Sequence, residues 1–289
     1  MSKRELIPFA DGLVFGEGIR WFKNRLWIAD MLGRKIIAFD FDGKREVVAH
    51  VPPRPNGLGF LPDGRLLIAS MADQKVLRRE HNGSISVHAD LSKLMTGYMG
   101  DLAVDARGRA YVDDVGFRVF EKDERRPGAL LRVDPDGTAV VLERNLQFPN
   151  GLWITPDGDR LIFAEGRNET IFSYRIGAEG GLSDKRVFAH LKGHVLDGLT
   201  IDVKGAVWEC SPYLRQVNRV VDGGQITETI QFPEHRKPVA CCLGGHERKD
   251  LFVVAADYTL ERMAADDCVA EIFRIEVDVP GFPLPGDSQ

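Results

Sequence analysis

The chain has 289 residues, 44% of them hydrophobic, and a formal net charge of −5. That is ample apolar material for a core, and a mildly acidic chain without a basic block argues against a nucleic-acid partner. No run of about 18 apolar residues is present, which argues against a membrane partner. Residues 1–5 carry no apolar targeting segment, so we expect a cytoplasmic protein.

A short phrase recurs six times along the chain and dominates its organisation. The copies open at Glu17, Asn56, Gly100, Asn150, Asp197 and Cys241, at spacings of 39, 44, 50, 47 and 44 residues. Each spacing accommodates about four short strands with their turns. In the fourth copy, for example, the apolar run 152–154 is followed by a Thr-Pro-Asp-Gly turn at 155–158 and a second predicted strand at 160–164.

Further turn signals separate the remaining apolar runs and argue against long helices. Pro-Asp-Gly stands at 62–64 and at 135–137, and Asp-Gly and Asn-Gly pairs stand at 42–43 and 82–83. We expect helix only over about one turn, around Leu91 to Met95. The repeat predicts an all-β fold, a six-bladed β-propeller, with residues 1–289 as one domain. The first strand of each blade lines the channel in such a fold, so the six opening residues should form a ring.

Three members of this ring carry oxygen atoms suited to a cation. Glu17 and Asp197 supply carboxylates and Asn150 supplies an amide oxygen, a set that suits a hard or borderline divalent ion. Without an ion the two carboxylates would repel, and one pKa would rise. Taken singly, each of these residues is more often a turn former, so the metal hypothesis depends on their shared position in the repeat.

Other chemistries find little support. The four cysteines, Cys210, Cys241, Cys242 and Cys268, show neither a CxxC nor a zinc-ligand spacing, and we expect reduced thiols. Cys241 in particular is interpreted as a packing residue. No GxSxG, HExxH, GxGxxG or P-loop motif occurs. The chemistry is thereby narrowed to acid–base residues and metals.

The ordered set of motifs resembles the senescence marker protein/gluconolactonase family, the regucalcin-like lactonases. The resemblance rests on Phe15–Gly18, Arg54–Leu58, Gly128–Arg132, Phe148–Leu152, Asp197–Asp202, Pro238–Gly245 and Ile275–Gly281. It implies a six-bladed propeller that hydrolyses a lactone, often a sugar lactone, with one divalent metal ion. It also implies Glu17, Asn150 and Asp197 as the metal ligands, with Asp197 as the catalytic base. Calcium is the first choice of metal, with zinc, manganese, magnesium and iron(II) as alternatives.

The third copy departs from the pattern that this family commonly shows. The family opens its third blade with Asn-Asp, whereas this chain has Gly100-Asp101. We expect the glycine to widen the pocket and to remove a hydrogen-bonding group, which weakens selection for a hydroxylated substrate. Asn56, Gly100, Asp101 and His194 are predicted to contact substrate. Loop 114–127 is either a lid over the channel or a surface excursion.

The sequence therefore predicts an enzyme acting on a small molecule, a sugar lactone or a related cyclic ester, as a monomer or small homo-oligomer. Metal polarisation of the carbonyl and carboxylate-assisted attack by water would suit such a reaction. Two alternatives stay open, because a fold does not determine its function. One is a non-catalytic propeller that binds a divalent metal or a ligand. The other is a different ester or condensation chemistry on the same ring.

Overall fold

The computed structural model describes residues 4–287 and forms a six-bladed β-propeller, as the repeat predicts. The chain begins with β1 (Ile7–Leu13). Blade one follows with β2 (Gly16–Phe22), β3 (Arg25–Asp30), β4 (Lys35–Phe39) and β5 (Arg45–His50), and blade two with β6 (Pro55–Phe60), β7 (Leu66–Ser70), β8 (Lys75–Arg79) and β9 (Ile85–Asp90). Blade three contains β10 (Met99–Val104), β11 (Ala110–Asp114), β12 (Gly128–Val133) and β13 (Ala139–Leu146), and blade four contains β14 (Pro149–Ile154), β15 (Arg160–Glu165), β16 (Thr170–Ile176) and β17 (Leu182–His190). Blade five contains β18 (Leu199–Ile201), β19 (Val207–Ser211), β20 (Gln216–Val220) and β21 (Ile226–Gln231), and blade six contains β22 (Lys237–Gly244), β23 (Asp250–Asp257) and β24 (Val269–Glu276).

The two ends of the described chain close the ring. Strand β1 pairs antiparallel with β24, with Ile7 opposite Arg274 and Leu13 opposite Ala270. The N-terminal strand thereby becomes the outermost strand of blade six, in the order β22, β23, β24 and β1. Because β1 leads directly into β2 of blade one, its pairing with β24 links the last blade to the first.

Burial falls from the channel outward, as expected for blades packed face to face. Every residue of the inner strand β10 is buried, whereas the outer strand β5 is mostly exposed. Aromatic rings join neighbouring blades: Phe22 stacks on Phe60 with ring centroids 3.8 Å apart, and Trp21 stacks on Phe252 at 5.5 Å. The apolar stacking between sheets is the main source of cohesion in this fold.

The register of the sixth copy corrects the alignment made from sequence. Pro55 pairs with Ser70 and Pro149 with Glu165, each followed by a bulge at the opening residue. In blade six the equivalent pair is Pro238 with Ala255, again followed by a bulge. The residue at the opening position is therefore Val239, which is buried, and not Cys241. The sequence alone does not distinguish these two registers, because apolar residues follow both Val239 and Cys241 with similar spacing.

Cys241 occupies the packing role expected of it. It is buried in the apolar cluster that contains Trp208, and its Sγ lies 3.5 Å from the Trp208 carbonyl oxygen. The four cysteines are free thiols, and all are buried.

Helical structure lies elsewhere than expected. The amide of Met95 donates to the carbonyl of Leu91, but this single turn does not continue as a helix. The α-helix of the described range is α1 (Leu260–Ala264), which Thr259 caps by accepting a hydrogen bond from the Arg262 amide. Two short 3₁₀ turns occur at Val119–Glu121 and Gly166–Asn168. Within residues 4–287 no helix has both the length and the hydropathy needed to cross a membrane.

A buried ion pair lies in the channel between its two ends. Arg20 donates from Nη2 to Asp101 Oδ1 at 2.8 Å, and its guanidinium lies 4.5 Å from the centroid of the Trp153 ring. Below this pair, a second cavity of about 230 Å³ is lined by Arg20, Trp153 and the C-terminal segment 282–285. The ion pair therefore contributes to the floor that separates the two cavities.

We predict that Arg20→Met destabilises the protein by about 3 kcal/mol, because it leaves the Asp101 carboxylate buried without its cation. Chemical denaturation measures the change. The control is Arg186→Met, which breaks an exposed pair with Asp222 and should cost less than about 1 kcal/mol. Equal losses in the two variants would contradict a special role for the channel ion pair.

Candidate active site

Five of the six opening positions meet at one cavity in the channel. Glu17, Asn56, Gly100, Asn150 and Asp197 line this cavity, which has about 170 Å³ of free space. They come from blades one to five, and the bulge at the start of the inner strands in blades one to four accompanies this placement. In the sixth blade the opening position holds Val239, an apolar residue that is buried in the core.

Asn150 and Asp197 are in direct contact at the centre of the ring. The amide Nδ2 of Asn150 donates to Asp197 Oδ1 at 2.8 Å. The Asp197 backbone amide is held in turn by the carbonyl of Cys210 at 3.0 Å. Because the amide nitrogen of Asn150 faces the aspartate, its Oδ1 is the atom available to a ligand. Glu17, on blade one, borders the same space and is half-buried, as are Asn150 and Asp197.

The carboxyl groups of the ring are held in an environment that opposes their ionisation. Burial, reinforced by the charges of Asp197, Asp101 and Asp113, raises the pKa of Glu17 well above its ordinary range. Burial also raises the pKa of Asp197 to about 7, against the opposing effect of the Asn150 hydrogen bond. A bound cation would favour the ionised form of these carboxyl groups and neutralise their charge.

Two residues predicted to contact substrate lie behind the cavity wall. Asp101 is paired with Arg20 and also accepts the Leu102 amide at 2.8 Å. Among the described residues that line the cavity, neither Asp101 nor His194 occurs. The His194 Nδ1 lies 2.9 Å from Ser211 Oγ, and that hydroxyl donates to the buried Glu209. Both side chains are therefore engaged in internal contacts, and their contact with substrate stays a prediction.

Gly100 lies on the cavity wall, but the space beside it is filled by another residue. A Cβ built on Gly100 would lie 2.3 Å from Asp113 Oδ2, a distance that real Cβ atoms do not reach. Asp113 comes from β11, the second strand of the same blade, and is fully buried among the residues that line the cavity. Its Oδ1 accepts the Asp101 amide at 2.6 Å, whereas Oδ2 has no hydrogen-bond partner within residues 4–287. The glycine thus makes room for a carboxyl group instead of only widening the pocket.

Asp113 was not identified from the sequence, although the repeat contained the signal. The strand pairing places it at the position that Ala69 occupies in blade two, Ala164 in blade four and Cys210 in blade five. Small apolar residues thus fill a position at which blade three alone carries an acid. Alignment of the second strands, rather than of the opening phrases, would have revealed it.

Loop 114–127 borders the entrance to the cavity. Val115, Val119 and Phe120 line the cavity wall, and the ring of Phe120 lies 4.9 Å from the Arg54 guanidinium. Helix α1 approaches the 3₁₀ turn of this loop and supplies Leu260 and Met263 to the wall. The loop is therefore part of the rim, and its movement as a lid stays a prediction.

The ring offers a mixed oxygen donor set. Within residues 4–287 no group of three or more His, Cys, Asp or Glu side chains is arranged to hold a metal ion. A cation at this place would be coordinated by the carboxylates of Glu17 and Asp197 and by the amide oxygen of Asn150. All three are oxygen donors, as hard divalent cations prefer, and a bound cation would offset the cost of burying the two carboxylates. The residues present therefore fit a divalent ion.

The chain belongs to the family described as the SMP-30/Gluconolactonase/LRE-like region, whose family model matches residues 15–257. A 6-deoxy-6-sulfogluconolactonase of Pseudomonas putida is 27% identical over 190 residues, which cover 64% of this chain and 64% of that protein. Pentonolactonase XacC of Haloferax volcanii is 25% identical over 283 residues, 93% of this chain and 92% of that protein. The family membership expected from the motifs is thus confirmed.

Solved structures agree on the fold. A calcium-binding regucalcin from Agrobacterium tumefaciens superimposes with a TM-score of 0.81 at 21% identity, over 98% of this chain and 99% of that one. A luciferin-regenerating enzyme superimposes with a TM-score of 0.83 at 14% identity, over 99% of this chain and 100% of that one. At these identities the likeness supports the propeller architecture.

We predict that Gly100→Asn destabilises the protein because its new side chain collides with the Asp113 carboxyl group. The second change Asp113→Ala should remove most of this loss, since alanine fills the equivalent position in other blades. Thermal unfolding of both single variants and of the double variant forms a complete cycle. Strictly additive effects would show that the two side chains do not compete for one space.

The buried acid of blade three also predicts a pH-dependent stability. Burial and the charge of Asp101 raise the pKa of Asp113 well above its ordinary value of about 4. As pH rises through the range between the unfolded and folded pKa values, the unfolded chain releases this proton first, so stability falls. The melting temperature of Asp113→Asn relative to that of the wild type should therefore be higher at pH 8 than at pH 4. Thermal unfolding in the presence of a chelator measures both proteins.

The control for this experiment is Asp136→Asn. The hydroxyl and amide of Thr138 hold the pKa of Asp136 below its ordinary value, so its contribution has the opposite sign: it is present at neutral pH and lost as pH falls. Between pH 4 and pH 8 the difference curve of Asp136→Asn should therefore stay nearly flat, because its contribution is lost only at lower pH, whereas that of Asp113→Asn should rise. A flat curve for Asp113→Asn would contradict the environment assigned to this acid.

Proposed function

We propose that this protein is a metal-dependent lactonase that opens a sugar lactone or a related cyclic ester. The observation that carries the proposal is the meeting of Glu17, Asn150 and Asp197, from three different blades, at one cavity of the channel. The lactonases among the relatives of this chain support the same reaction. The product would be the open-chain hydroxy acid.

Glu17, Asn150 and Asp197 would hold the divalent ion through their side-chain oxygens. Such an ion, when bound, polarises a carbonyl oxygen and lowers the pKa of bound water. Calcium is our first choice because hard oxygen donors dominate and the solved regucalcin relative binds calcium. Zinc, manganese, magnesium and iron(II) are the alternatives that a metal exchange experiment distinguishes.

Asp197 is the residue we assign as general base. Its carboxyl group borders the cavity and can take a proton from an attacking water molecule. The hydrogen bond from Asn150 orients it. Asp197 takes the proton of the attacking water while the water oxygen bonds to the lactone carbonyl carbon. The ring C–O bond then breaks, and the proton passes to the departing alkoxide, so that water is consumed and no other reactant is needed.

The substitution Asp197→Asn tests this assignment. Asparagine keeps the shape and an oxygen atom but cannot accept the proton, so we expect kcat to fall by about 10²- to 10⁴-fold. Binding of the divalent ion, measured by calorimetry, should survive in part. Glu17→Gln and Asn150→Ala should instead weaken both metal binding and hydrolysis. Release of acid from a panel of lactones by metal-stripped protein, with each ion restored in turn, gives the rates.

Asp136→Asn, on an exposed turn, is the matched control and should change neither measurement. An Asp197→Asn variant that retains the full rate would eliminate Asp197 as the base. Metal binding without hydrolysis of any lactone would favour the alternative of a non-catalytic propeller. Turnover of other esters without turnover of lactones would favour a different ester chemistry on the same ring.

A further inference from the structure

The wall above the ring is built mainly from apolar and aromatic side chains. Four of the chain's six methionines, Met31, Met71, Met99 and Met263, line this one cavity. Methionine is flexible and polarisable, and it fits apolar groups of varied shape. The concentration of methionines at one cavity indicates a surface suited to an apolar group.

Aromatic rings complete this wall. Phe15 lies edge-on to Tyr258, with ring centroids 5.2 Å apart, and both line the cavity near the ring of polar residues. Tyr98 and Phe120 pack together at 5.6 Å toward the rim. The Tyr98 hydroxyl, which could otherwise serve a substrate, lies 3.3 Å from Glu121 and donates to it.

The polar groups left for substrate recognition are few. Glu17, Asn150 and Asp197 belong to the proposed metal and base site. Among the remaining described residues that line the cavity, the polar side chains are Asn56, Arg167, the fully buried Asp113 and the tyrosines Tyr98, Tyr213 and Tyr258. A polyhydroxylated lactone would place several hydroxyls against methionine and aromatic carbon, where each loses its hydrogen bonds to water without replacement.

Arg167, the cation that the described residues place on this wall, is itself part of an aromatic surface. The Arg167 guanidinium lies 5.0 Å from the ring centroid of Phe148 and 5.7 Å from that of Phe117. Burial lowers its pKa, as does the nearby charge of Arg125. A guanidinium stacked in this way offers its flat face as a continuation of the wall.

We infer that the substrate is a lactone whose ring carries an apolar alkyl or aryl substituent, seated on the methionine and aromatic wall. This inference rests on the proposed lactonase function and names its substrate class. The ester group would face Glu17, Asn150 and Asp197, and the substituent would lie toward Met263 and Phe120. Transfer of the apolar substituent from water to this wall would add favourable binding free energy. A plain sugar lactone has no such substituent.

The test compares three lactones that share the same six-membered ring. They are D-glucono-1,5-lactone, unsubstituted δ-valerolactone and δ-decalactone, which carries a pentyl chain. Rates are corrected for spontaneous ring opening. Each buried methylene group favours binding by about fourfold, so we expect kcat/KM for δ-decalactone to exceed that for δ-valerolactone by at least about tenfold. The value for gluconolactone should not exceed that for δ-valerolactone.

The decisive variant is Met263→Gln, with Met263→Leu as its matched control. Glutamine keeps the length of methionine but places an amide on the wall, so the preference for δ-decalactone over δ-valerolactone should fall about tenfold, chiefly through KM. Leucine keeps the wall apolar and should preserve the preference. Thermal unfolding of both variants accounts for any loss of folded protein.

A binding measurement separates this inference from the proposed function. Calorimetry with 2-pentyltetrahydropyran and with 1,5-anhydro-D-glucitol, which lack the ester, should detect tighter binding of the pentyl ether. If no lactone is hydrolysed but this order of binding holds, the lactonase proposal fails and the apolar ligand class stands. A preference for gluconolactone in turnover, or for anhydroglucitol in binding, would overturn the inference.

Discussion

The architecture depends on direct contact between the backbones of neighbouring inner strands. A Cβ on Gly57 would lie 2.4 Å from the amide nitrogen of Leu102, and one on Gly151 would lie 2.6 Å from that of Leu199. Because no side chain separates the strands at this level, the residue immediately before each glycine is brought to the channel. Asn56 and Asn150 thus enter one cavity as a consequence of backbone packing, and the same cavity receives Glu17 and Asp197.

This convergence concentrates acidic groups in one partly buried cavity. The fold balances part of that charge by itself: Arg20 neutralises Asp101 in the channel floor. For Glu17 and Asp197 no such cation is supplied from the described range, and burial raises the pKa of both. Buried carboxyl groups that resist ionisation also accept a cation or a proton readily. For this reason we associate the site with catalysis.

Much of the fold and of the site followed from the repeat. Opening residues at a constant place in each period predicted the propeller, the channel ring and the meeting of Glu17, Asn150 and Asp197. The errors also have physical causes. Val239 and not Cys241 opens the sixth blade, because a bulge, which leaves no mark in the hydrophobic pattern, sets the register. For His194 the structure shows a contact of its ring with Ser211 of β19, and its contact with substrate stays a prediction.

The sequence by itself determined the number of blades, the family and the side chains that face the channel, because these depend on periodicity along the chain. Only the tertiary structure decided which groups share one space. Asp113 reaches the position left empty by Gly100 from a neighbouring strand, and four methionines from separate segments meet on one wall. Such contacts join residues remote in the chain, and their distances depend on how the blades pack rather than on any local pattern.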